Sequence, residues 1–194
     1  MENKMKRLRA LSVVNAVLLV SAMAGCLYVL FANQGLYYSV TAVTELLALV
    51  FSLFYYLRGF QKDAAKYYRL FMLFYAFTYL AESAASLMNY QTIGVDLSAG
   101  TVLFSMIMYG NTLILAVGKD IGKKASYALC AFNVLVYVLP LIGGFIPGLI
   151  SFESESVQVS NILLYAIWLI VALNAFVMTV AKYTDKSIRK NGGE

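Results

Sequence analysis

Six runs of apolar residues follow one another almost without pause, near 10–32, 37–57, 70–89, 97–117, 125–147 and 158–181. A helix of about 20 such residues crosses the ~30 Å hydrocarbon core of a bilayer and satisfies its own backbone hydrogen bonds there. Six of these runs in 194 residues leave only short loops. The expected fold is therefore all-α: a polytopic integral membrane bundle of six transmembrane helices, one domain over residues 1–194, with no soluble catalytic or DNA-binding unit.

Charge orients the bundle. Fifteen Lys and Arg residues gather in four clusters, at Lys4–Arg9, Arg58–Arg69, Lys119–Lys124 and Lys182–Lys190. With six spans all four clusters share one side, which the positive-inside rule makes the cytoplasm, so both termini are expected there and the protein is expected to be multi-pass in the cell membrane. The opposite loops carry Asp96, Glu153 and Glu155 and no basic residue. A net charge of +5 spread along a membrane edge points to anionic lipid headgroups as partners, not to nucleic acid. Tyrosines at the run ends, Tyr37, Tyr38 and Tyr90 outside and Tyr55, Tyr56, Tyr67, Tyr68, Tyr127 and Tyr183 inside, fit interfacial belts.

The first run also has features of a secretory signal, with Ala22-Met23-Ala24 as a cleavage sequence and Met23-Ala24-Gly25-Cys26 as an imperfect lipobox. Its apolar residues continue through Leu27-Tyr28-Val29-Leu30-Phe31, long enough to span, so retention of the helix is expected. Ser21 and Gly25, four apart, then read as a close-packing face.

The chain has no histidine and two cysteines, Cys26 near the outer end of the first run and Cys130 near the inner end of the fifth. That composition excludes zinc-hydrolase, Ser-His-Asp and Cys-His chemistry and a disulfide between the two, and it indicates neither a metal nor a cofactor. Acid-base work in an enzyme would fall to Glu45 and Glu82, around which no lipid-enzyme motif stands, so an enzymatic reading ranks last.

Those two glutamates are the only charges inside apolar sequence. Each is thirteen residues from the nearest basic residue, Arg58 or Arg69, and so roughly 20 Å from the same turn, level with the other and past mid-bilayer. Both sit on stripes of small and hydroxyl residues at helical spacing, Thr41, Glu45, Ala48, Ser52, Tyr55 and Tyr75, Tyr79, Glu82, Ser86. An ionised glutamate at that depth is costly, and two close carboxyls do not easily both ionise, so a pair there would hold a proton. The alternative is interhelical glue, with the carboxyls bonding each other or Tyr79, Thr44 and Ser86.

The later spans continue the inward face with Thr101, Ser105, Met108 and Thr112 beside Tyr109 and Asn111, then Ser126, Cys130, Asn133 and Tyr137, then Asn161, Tyr165, Trp168, Ala172, Ala175 and Thr179. Asn174 falls off the last stripe, facing lipid, another helix or a second copy. Pro140, Gly143 and Gly144 loosen the outer half of the fifth span, as a gate or as a plain kink. Three spans followed by three give the halves opposite orientation, the 3+3 arrangement of inverted-repeat transporters, with Asn133 in the place Glu45 holds in the first half.

Two functions fit. One is binding or transport of a small solute or cation through a bundle cavity, proton-coupled through the Glu pair and lined by Glu45, Glu82, Tyr79, Asn111, Asn133, Tyr137 and Trp168. The other is a sensor or accessory subunit that passes a ligand or lipid signal to a cytoplasmic or membrane partner subunit, or acts as an oligomer, through its basic turns.

Overall fold

The computed structural model describes residues 2–32, 35–58, 64–93, 99–117, 121–142 and 155–191, and nearly all of them are helical. The helices are α1 (Glu2–Ala32), α2 (Leu36–Arg58), α3 (Ala64–Ile93), α4 (Ala99–Val117), α5 (Lys123–Ile142) and α6 (Glu155–Asn191). No strand occurs among the described residues, so the chain is all-α. Gly143 and Gly144 lie outside the described residues, as do the side chains of Glu82 and Pro140 within their helices.

Among the described residues, three of the helices are long and apolar enough to cross a membrane, over Asn15–Ala32, Tyr38–Leu57 and Ile162–Thr184. A shorter apolar stretch runs through Ser105–Val117 of α4. The outward side chains suit such a setting: Val17, Phe31, Leu57, Leu103, Leu139 and Val117 are all more than half exposed. An apolar surface of this kind is foreign to a water-soluble monomer.

Each helix packs on the next, and α6 returns to α1, closing a ring. The α2–α3 contact is the most extensive, whereas α4 and α5 barely meet. Helix α6 also reaches α2 and α3 and so is surrounded on several sides. Among the described residues, the Cα atoms of α3 and α5 nowhere come within 8 Å of each other. The two halves are not packed alike, since α1 lies closely along α2 while its counterpart α4 hardly touches α5.

Local chemistry sets the ends. The Ser126 amide donates to the Gly122 carbonyl at 3.1 Å to open α5, and Gly122 has a φ of +89°, which costs a residue without Cβ little. The Ser39 amide does the same to Gly35 at 3.0 Å as α2 begins.

Stripes of small and polar residues face inward, as helical spacing requires. Thr41, Glu45, Ala48, Ser52 and Tyr55 of α2 are all buried, as are Ser105, Met108 and Thr112 of α4 and Ser126, Cys130, Asn133 and Tyr137 of α5. The close-packing face of α1 differs in detail from the Ser21–Gly25 expectation. Ser21 is exposed, and the contact is made at Gly25, where an added Cβ would stand 3.2 Å from Ile167 Cδ1 of α6.

Candidate functional site

One polar cluster in the core is a row of tyrosine hydroxyls. Tyr75 and Tyr79, one turn apart on α3, share a hydrogen bond of 2.8 Å, and Tyr79 reaches across to Tyr137 of α5 at 2.6 Å. The Tyr79–Tyr137 bond therefore bridges two helices whose backbones stay apart. On the α6 side, the Tyr165 hydroxyl donates to the Tyr137 carbonyl, and its ring meets that of Tyr137 edge-on at 6.0 Å. The Trp168 ring lies against Tyr137, also at 6.0 Å between centroids.

Beside this row stand polar groups that bond to nothing. Asn133, one turn before Tyr137 on the same face of α5, is wholly buried, and neither its Nδ2 nor its Oδ1 has a hydrogen-bond partner. The indole Nε1 of Trp168 is buried and unbonded as well, and so is the hydroxyl of Thr41 on α2. Leaving one such group unmade in a core costs about 1–3 kcal/mol. An asparagine kept that way needs a reason beyond packing, because a leucine would fill similar space without the cost.

Glu45 is 1% exposed, one turn after Thr41, and accepts a long contact of 4.0 Å from the Cys26 thiol of α1. Glu45 is the only buried charged side chain among the described residues. Ring contacts between Phe51 and Phe74 and between Phe54 and Tyr67 set the register of α2 against α3, bringing Glu45 level with the turn Ala76–Leu80, just before Glu82. The bonds of Tyr79 and Thr44 run elsewhere: Tyr79 is engaged with the two tyrosines, and Thr44 donates to the Val40 and Thr41 carbonyls of its own helix. Of the sequence-derived residues, Glu45, Tyr79, Asn133, Tyr137 and Trp168 thus belong to one polar band across the bundle. Asn111 is half-buried on α4 and bonds to none of them, and the Glu82 side chain lies outside the described residues.

A second cluster was not anticipated as a unit. Asn174 of α6 is wholly buried and takes the Asn15 amide of α1 at 2.8 Å and the Tyr56 hydroxyl of α2 at 2.7 Å on its Oδ1, while its Nδ2 donates to Ser52 of α2. Ser52 in turn contacts the Met178 sulfur at 3.5 Å. Of the three alternatives open for Asn174, it faces other helices. A single inward stripe could not reveal this, because α6 has neighbours on more than one side.

The starts of α3 and α5 and the later part of α6 are joined by tyrosines first assigned to an interfacial belt. Tyr68 bonds Thr179 at 2.9 Å, Thr179 also contacts Cys130 at 3.3 Å, and Ser126 bonds Tyr183 at 2.9 Å. Lys182 covers the Tyr68 ring at 4.6 Å. Tyr55, Tyr68 and Tyr183 are buried, so at these positions the hydroxyl turns into the bundle.

Among the described residues, no three His, Cys, Asp or Glu side chains are placed to share a metal ion. No family model matches the chain, and no characterised protein or solved structure is significantly similar to it.

Proposed function

We propose that this chain is a six-span protein of the cell membrane, with both termini cytoplasmic, that binds a small solute inside its bundle and carries it across. The observation that supports this best is Asn133. Its amide is wholly buried and unbonded, one turn from the Tyr79–Tyr137 bond that joins α3 and α5 across backbones that stay apart among the described residues. Polar side chains at membrane depth that are not used for packing mark solute pathways by default. Tyr137, one turn further along α5, carries the Tyr79 hydroxyl and the Trp168 ring beside that level, and Glu45 is the group that holds or releases a proton as the carrier cycles.

The thin α4–α5 contact gives the site a side that can open without breaking the rest of the ring. Hydrocarbon surrounds the apolar exterior, and the basic clusters rest on anionic headgroups.

The test is water access. A protein with Asn133→Cys, Cys26→Ala and Cys130→Ala, reconstituted in vesicles, is treated with a small membrane-impermeant thiol reagent. Modification of the folded protein, at a rate that depends on which side receives the reagent, is the expected result. Reaction only after denaturation would mean a sealed bundle and would remove the carrier reading.

A further inference from the structure

We infer that the solute taken at Asn133 is uncharged and planar, with an amide-like edge that offers a hydrogen-bond donor next to an acceptor. The inference rests on the solute-binding reading above and adds the chemistry of the ligand. Three unmade hydrogen bonds define what is missing. Asn133 Oδ1 needs a donor, Asn133 Nδ2 needs an acceptor, and Trp168 Nε1, on the ring that packs against Tyr137, needs a second acceptor. A lactam, carboxamide or ureido edge supplies that set. A simple cation would serve only Oδ1 and leave both donors unmade, and an anion would serve only the donors.

Charge gives the same answer. No Lys or Arg is buried among the described residues, so nothing there neutralises an anion.

Trp168 is the only tryptophan in the chain and so reports on its own site. The purified protein is titrated with probes that share one ring and differ in charge, nicotinamide, the 1-methylnicotinamide cation and nicotinate, and with uracil as a second uncharged amide. The readout is Trp168 emission. Saturable binding of nicotinamide or uracil is expected, at least about tenfold tighter than either ion and lost in Asn133→Leu with thermal stability retained. Equal or tighter binding of 1-methylnicotinamide or nicotinate would overturn the assignment, as would no saturable response to either uncharged probe. Thiol access in the Asn133→Cys protein separates the two levels: a reactive thiol with no response of the native chain to the uncharged probes keeps the cavity and rejects this ligand class, whereas an unreactive one rejects both.

Discussion

Asn174 and Asn133 are the same side chain, wholly buried, on neighbouring helices, and they are used in opposite ways. Asn174 engages both ends of its amide and ties α1 and α2 to α6 through Asn15, Ser52 and Tyr56. Asn133 engages neither end. The residue type therefore does not tell glue from site in a membrane bundle; the bonds it makes do. Where every polar atom has a partner, the side chain is explained by the helices it joins. Where none has, the explanation lies outside the protein.

The largest expected effect falls on the satisfied asparagine. Asn174→Leu removes the acceptor of Asn15 and Tyr56 and the donor to Ser52, and should lower stability by about 2 kcal/mol in a mixed-micelle unfolding titration. Asn133→Leu in the same assay should raise stability, by about 1 kcal/mol, because no bond is lost and an apolar side chain replaces unmade polar groups. Equal losses in the two variants would erase the distinction and return Asn133 to a structural role.

A smaller loss, about 1 kcal/mol, is expected for Tyr79→Phe, which takes away the hydroxyl shared by Tyr75 and Tyr137 but keeps the ring. The helix ends should hold, and the α3–α5 distance, measured by paired spin labels, should widen or become heterogeneous. An unchanged, narrow distance distribution would show that Tyr79 does not set the spacing.

Glu45→Gln sharpens the comparison from the charged side. The amide matches a protonated carboxyl in size, so stability should shift by no more than about 0.5 kcal/mol while a buried carboxyl band disappears from the infrared spectrum. A wild-type spectrum without such a band would mean that Glu45 does not hold a proton at that pH.

The smallest effect is expected at Gly25. Its added Cβ would meet the flexible end of Ile167 at 3.2 Å, and the resulting crowding opposes a helix-propensity gain of about 1 kcal/mol for Gly→Ala. Gly25→Ala should leave both asparagines as they are, and a change in probe binding there would implicate the α1–α6 contact in the site.

How far these features can be read from sequence varies with the geometry of each helix. Spacing alone placed the buried stripe of α2 correctly, from Thr41 through Tyr55, because that helix turns one polar face to its neighbours. The all-α class followed from apolar run length in the same way. The role of Asn174 did not follow, since α6 is enclosed by α1, α2, α3 and α5 and has no single inward face. The buried inner tyrosines were equally hidden. A tyrosine near a basic cluster suits a headgroup, and only the presence of Thr179 and Ser126 within reach turns Tyr68 and Tyr183 inward. Tyr79 and Tyr137 could each be nominated, but pairing across helices far apart in sequence is decided by tertiary packing.

The row Tyr75–Tyr79–Tyr137 has a sense of direction. Three hydroxyls bring three protons to two links, so the row can run from Tyr75 to Tyr137 or in reverse, and the third proton falls on Tyr137 in the first case and on Tyr75 in the second. A third arrangement, with Tyr75 and Tyr137 both donating to Tyr79, keeps the two links as well and leaves the Tyr79 proton outside them. The row is a proton ladder with three settings, and the setting decides which of Tyr75, Tyr79 and Tyr137 holds the proton that neither link uses.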